Sequence, residues 1–124
     1  MAQTRTEMIV ARLREMQMAS PEIEASAVVS IDGLIIASAL PADIEEDRLS
    51  AMSAAMIGLG ERIAQELNRG KLEQIYIHGT NGFVILTSIG NAAVLSALAR
   101  ENAKLGLIFL ELQRAVRDLE QFVE

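Results

Sequence analysis

Residues 47–68 read DRLSAMSAAMIGLGERIAQELN, and the placing of apolar side chains in this stretch decides the fold. Leu49, Met52, Met56, Leu59, Ile63 and Leu67 recur three or four positions apart, the spacing of one face of an α-helix. That stripe is enough to pin the helix to a sheet. Its flanks are small or apolar as well: Ser53, Ile57, Gly60 and Ala64 on one side, Ala51, Ala55 and Gly58 on the other. A helix covering one face of a small domain needs a single apolar stripe. The spare flanks therefore predict a second partner, most simply another copy of the same helix. This stretch predicts an assembly module rather than an enzyme.

Upstream, Thr4-Arg5-Thr6-Glu7 fits a capping box and opens a helix with a core stripe at Ile9, Leu13 and Met16. Ser20-Pro21 ends it, because the residue before proline is pushed out of helical space. Ala25 to Ile31 reads as a strand, Asp32-Gly33 as a type I′ hairpin turn and Leu34 to Leu40 as the return strand, closed by Pro41. Asp43 to Asp47 places four carboxylates at the start of the middle helix. There they favour the positive end of the helix dipole, a simpler account than a paired-carboxylate or metal site.

Downstream, Asn68-Arg69-Gly70 reads as a C-cap with Gly70 left-handed. Lys71 to His78, Phe83 to Ile89 and Ala92 to Ala99 read as three strands of an antiparallel meander, turning at Thr80-Asn81-Gly82 and Gly90-Asn91. A last helix runs from Asn102 or Lys104 almost to Glu124, with a clean stripe at Leu105, Ile108, Leu112, Ala115, Leu119 and Phe122. Leu34-Ile35-Ile36 and Phe83-Val84-Ile85-Leu86 do not alternate, so the sheet is apolar on both faces and needs cover on both. The middle helix is expected on one face and the terminal helices on the other. The order is α-β-β-α-β-β-β-α, an α+β sandwich around a five-stranded antiparallel sheet, with 1–124 as one domain.

Composition removes several classes of function. A net charge of −6, eleven scattered basic residues and four aromatics argue against a nucleic-acid partner, which needs clustered Lys and Arg or stacking platforms. No apolar run approaches the roughly 20 residues that cross a bilayer, so membrane insertion is not expected. The opening MAQTRTEMIV has no long apolar segment and no small-residue cleavage site, which reads as a cytoplasmic chain. Cysteine is absent, which removes thiol nucleophiles and zinc knuckles.

Catalytic chemistry finds no constellation. No G-x-x-x-x-G-K-[ST] loop occurs, so the chain is not itself a nucleotide hydrolase of that type. His78 is the single histidine, with Tyr76 beside it and no nucleophile–base trio, so a structural or interface role is expected. No cofactor and no metal are expected. Gly58-Leu59-Gly60 lies inside the helical pattern, where two glycines weaken a helix by about 1 kcal/mol each. Close backbone approach at a helix–helix crossing accounts for them. Arg48 and Arg62 lie together on one side of the same helix, where a solvated surface role is the plain reading and contact with a partner the alternative.

Four segments together resemble the Roadblock (dynein light chain) family. They are VVSIDGLIIAS from Val28 to Ser38, DRLSAMSAAMIGLGERIAQEL from Asp47 to Leu67, IYIHGTNGFVILTSIGNAAVLSALA from Ile75 to Ala99, and NAKLGLIFLELQRAVRDL from Asn102 to Leu119. The resemblance rests on their order and spacing and covers about three-quarters of the chain. It implies a profilin-like sandwich and a homodimer through the middle helix and third strand. It also implies a small Ras-like GTPase as partner, with the chain as regulator or scaffold; prokaryotic members often accompany a gliding or polarity GTPase. The expected dimer and partner contacts are Arg48, Ala51, Ser53, Ala55, Ile57, Gly58, Gly60, Arg62, Ala64, Ile75, Tyr76, Ile77 and His78. A small-molecule sensor of the same shape, or a structural light chain of a larger assembly, is the alternative.

Overall fold

Thr4 caps the first helix reciprocally: its N–H donates to Glu7 Oε1 at 2.9 Å, and the Glu7 N–H donates to Thr4 Oγ1 at 3.1 Å. Two of the donors that a helix start leaves orphaned are thereby satisfied. The computed structural model describes residues 3–123. Its elements are α1 (Arg5–Ala19), β1 (Ile23–Ser30), β2 (Ile35–Ala39), α2 (Glu46–Glu66), β3 (Gln74–Gly79), β4 (Gly82–Ile89), β5 (Ala93–Arg100) and α3 (Leu105–Leu119), followed by a 3-10 turn, Glu120–Phe122. The predicted order holds throughout. The expected extension of α3 toward Glu124 ends on a residue outside those described. Among the described residues no helix is long and apolar enough to cross a membrane.

The five strands form one antiparallel sheet in the order β2-β1-β5-β4-β3, so β2 and β3 are the edges. Both faces are covered, as the unbroken apolar runs require. On one face Ile9, Leu13 and Met16 of α1 and Ile108, Leu112, Ala115 and Leu119 of α3 pack on Val28, Ile85, Ile89, Leu95 and Ala97. On the other, α2 lies over Ala27, Val29, Leu86 and Val94. Arg12 of α1 ties the terminal helices together by donating from Nε to Asp118 of α3 at 2.7 Å.

Two local readings need correction. The β1–β2 turn is not type I′, because Asp32 does not take a positive φ; Gly33 does, at +88°. Gly33 N–H donates to the Ser30 carbonyl at 3.0 Å and Ser30 N–H to the Leu34 carbonyl at 2.8 Å. The loop is therefore three residues, with glycine at the left-handed position that this loop length demands. At the end of α2, Gly70 is left-handed as expected, with φ +85°, but Asn68 turns left-handed before it, with φ +58°. Asn68 N–H reaches the Gln65 carbonyl at 3.1 Å and Arg69 N–H the Ala64 carbonyl at 2.6 Å. That bond pair is a Schellman cap.

Candidate interaction surface

Helix α2 presents its stripes the other way round from the sequence reading. Leu49, Ser50, Ser53 and Ile57 are the buried residues, with Gly60 and Ala64 half-buried behind them. Met52, Leu59, Ile63 and Leu67, expected against the sheet, are 54%, 53%, 50% and 63% exposed. Only Leu49 and, in part, Met56 face inward from the predicted stripe. The reason lies in the sheet: the face under α2 is filled by branched side chains, Val29, Leu86 and Val94. A layer of that thickness is matched by small residues on the helix, so that volumes alternate across the contact. Hydrophobicity alone assigns the larger residues to the core and misses this.

Two contacts fix the helix in that orientation. Ser53 and Ser96 of β5, both buried, pair their hydroxyls at 2.9 Å. A Cβ built on Gly60 would lie 2.7 Å from Ile75 Cδ1 and 3.1 Å from Leu72 Cδ2. Gly60 is thus a spacer between α2 and β3 of the same chain, not part of a helix–helix crossing as expected. Gly58 has nothing within 4 Å of its Cβ position and, with Ala51 and Ala55, lies on the exposed side. Of the thirteen residues expected at an interface, Ser53 and Ile57 belong to the core, Gly60 and Ala64 of α2 and Ile75 of β3 are half-buried between helix and sheet, and the other eight are exposed.

The exposed stripe adjoins the sheet edge. Met52 and Met56 line one side of a groove of about 510 Å³, and Ile77, Val84, Leu86 and Leu98 its floor and far wall. Asp43, Glu45 and Arg48 stand at its mouth. Edge strand β3 is exposed along most of its length, and Gln74-Ile75-Tyr76-Ile77-His78-Gly79 holds no Lys, Arg, Asp, Glu or Pro. Those are the residues by which an edge strand usually discourages pairing. Ile75 and Ile77 point to the α2 face and Tyr76 and His78 to the α3 face, as the alternation predicts. His78 stacks on Phe83 at 4.3 Å, and Tyr76 lies 5.7 Å from Phe83 and 6.0 Å from Phe109.

The charged residues have plain surroundings. Arg62 faces Glu66 at 3.5 Å one helical turn on, in an exposed pair. Glu46 accepts a hydrogen bond from the Ser38 hydroxyl and, with Asp47, lies in the first turn of α2. Among the described residues no three His, Cys, Asp or Glu side chains converge as a metal site would require. Sequence reading found the residues of β3 but left Met52, Leu59, Ile63 and Leu67 out of the surface; the signal for them was the spacing already quoted, assigned to the wrong neighbour.

Comparison with known proteins places this geometry in context. The family profile for the Roadblock/LC7 domain matches residues 9–99. An uncharacterised protein of Methanocaldococcus jannaschii, MJ1340, is 37% identical over 98 residues, covering 79% of this chain and 85% of its own. Among solved structures, Myxococcus xanthus MglB superposes with a TM-score of 0.87 at 19% identity, covering 92% of this chain and 93% of that one. An MglB with a tetrameric arrangement gives 0.89 at 19%, covering 99% and 93%. Acanthamoeba castellanii profilin IA gives 0.67 at 12%, covering 90% and 96%, so the sandwich is profilin-like.

Proposed function

The chain belongs to the Roadblock/LC7 domain family, and from that premise we propose that it is a non-catalytic, homodimeric regulator or scaffold of a small Ras-like GTPase. The observation that carries the reading is the adjacency of two unpartnered elements: the apolar stripe of α2, at Met52 and Met56, and edge strand β3, which holds no Lys, Arg, Asp, Glu or Pro. Each alone is a liability in a monomer. Side by side, they are what one two-fold axis would cover at once.

Charge supports the same pairing. The start of α2 is acidic, with Asp43, Glu45, Glu46 and Asp47, while Arg69 and Lys71 follow its end. Two such helices laid antiparallel bring the acidic start of each toward Arg69 and Lys71 of the other. Ala51, Ala55 and Gly58 remain on the outer side for a partner protein. The GTPase itself rests on the family resemblance, and the tetrameric MglB neighbour agrees with assembly beyond a monomer.

The test uses the purified full chain. Light scattering should give twice the chain mass. Immobilised protein should retain a small Ras-like GTPase from the same genome in a nucleotide-dependent way, comparing GDP with a GTP analogue. Retention of neither form by a protein of dimeric mass removes the GTPase and leaves an assembly module. A monomeric mass removes the dimer.

A further inference from the structure

We propose that the cleft between α3 and the start of β3 binds a small zwitterion, a free amino acid or a dipeptide, through its carboxylate and its ammonium group. The cleft lies on the α3 face of the sheet, opposite the face that carries α2. Its walls come from elements already placed. Gln113, Val116, Arg117 and Glu120 recur three or four positions apart along α3 and its C-cap, and so share one side of the helix. Facing them, Lys71, Glu73 and Gln74 lead into β3. Ser88 holds this segment against β4: its N–H donates to the Glu73 carbonyl at 3.1 Å and its hydroxyl to the Leu72 carbonyl at 3.4 Å.

The side chains along α3 explain why a cleft opens here. Phe109 stands edge-on to Tyr76 at 6.0 Å and closes the space between helix and sheet edge at that end. One turn on, the exposed Gln113 stands where a second ring would be needed, and helix and strand part around about 550 Å³. Small-molecule sites span roughly 300–1,000 Å³. Thr87, which pairs with Gln74 across β3 and β4, also lines the cleft. It is 8% exposed, and its Oγ1 is, among the described residues, the one buried side-chain polar atom without a hydrogen-bond partner. Buried hydroxyls are ordinarily paired, as Ser53 and Ser96 are. Rotation about χ1 moves a threonine hydroxyl among three staggered positions, so Thr87 can turn Oγ1 to a polar group in the cleft.

Charge selects the ligand. Each wall bears one cation and one carboxylate: Arg117 and Glu120 on the helix side, Lys71 and Glu73 on the strand side. Among the described residues none of these four forms an ion pair. A simple anion drawn to Arg117 also meets Glu120, and a simple cation meets the reverse, so the Coulomb terms offset one another. A molecule with both signs engages one of each, its carboxylate on the guanidinium and its ammonium on a glutamate. Gln74, Gln113 and Thr87 supply neutral donors and acceptors for the atoms between. Leu72 and Val116 offer an aliphatic side chain an apolar surface. No aromatic ring lines the cleft, so a nucleobase has no face to stack on.

The test titrates the purified full chain with each proteinogenic amino acid and with alanyl-alanine, by calorimetry and by thermal shift. At least one should bind with one site per chain; the amino-acid and dipeptide arms tell the two sources apart. The N-acetyl and amide derivatives of that ligand, each lacking one charge, should bind at least about tenfold more weakly. Arg117 and Glu120 are exposed, so R117A and E120Q should keep the melting temperature of the free chain and lose at least about tenfold in affinity. T87V should weaken binding as well; if circular dichroism shows T87V unfolded, R117A and E120Q decide. Neither heat nor thermal shift with any of these ligands overturns the proposal. So does an N-acetyl derivative that binds as tightly as its parent, or an affinity unchanged in both R117A and E120Q. Chain mass and GTPase retention are read separately, so failure here leaves the regulator reading standing.

Discussion

Gly60 of α2 lies against the end of the Ile75 side chain: a Cβ on Gly60 would stand 2.7 Å from Ile75 Cδ1, so any larger residue must push that flexible end aside. It is a contact between α2 and edge strand β3. It also separates the two glycines of the helix, since Gly58 faces open space.

The pair makes opposite predictions. Gly58→Ala should stabilise the chain by about 0.5–1 kcal/mol, the usual gain for an exposed helix interior. Gly60→Val should destabilise it by about 1–3 kcal/mol, because Ile75 and Leu72 must both move. Urea unfolding of each variant reads this. A Gly60→Val chain as stable as the original would mean that α2 can lift from β3 freely.

Ile57 and Ile63 test which stripe of α2 faces inward. Ile57 is 3% exposed and Ile63 50%. Ile57→Asp should abolish the folded circular dichroism signal, since an unpaired buried carboxylate is not tolerated. Ile63→Asp should keep the thermal transition within a few degrees and lower the mass from dimer to monomer. Retention of dimeric mass in Ile63→Asp would take the exposed stripe out of the interface.

Ser53 and Ser96 form a buried hydroxyl pair between α2 and the sheet. Removing one hydroxyl strands the other, at a cost of about 1–3 kcal/mol, while removing both restores part of the loss. A double-mutant cycle of Ser53→Ala and Ser96→Ala should therefore show a coupling well above the scatter. Additive effects would mean that each hydroxyl finds another partner.

The capping box at Thr4 predicts a pH dependence. Backbone and then side-chain hydrogen bonds from Thr4 hold the Glu7 carboxyl below its ordinary value. A group whose folded pKa is depressed contributes above its unfolded pKa, and that contribution fades as pH falls through the folded value. Glu7→Gln should thus narrow the stability difference from the unsubstituted chain as pH is lowered through the acid range. An unchanged difference between neutral and acid pH would remove the carboxylate from the cap.

Element order was legible in the chain because it depends on local rules. Thr4 and Glu7 announce a helix start, Ser20-Pro21 a stop, and the strands carry β-branched runs between glycine turns. The unbroken Phe83-Val84-Ile85-Leu86 run even told that both faces of the sheet are covered. The two turn corrections are finer matters of loop length and of which residue first goes left-handed.

What the sequence by itself determined is therefore the family, the helix–strand order and the existence of surplus apolar surface on α2. Which surface is surplus was decided only by the tertiary structure. Ser53, Ile57, Gly60 and Ala64 are the inner stripe because the sheet beneath them already holds Val29, Leu86 and Val94 and leaves room for little more. Met52, Leu59, Ile63 and Leu67 are displaced outward, and Met52 lines a groove with Ile77 of β3, whose place at the sheet edge depends on pairing across the whole chain. Periodicity counts apolar positions along one helix. It holds no term for the volume of the layer the helix must meet.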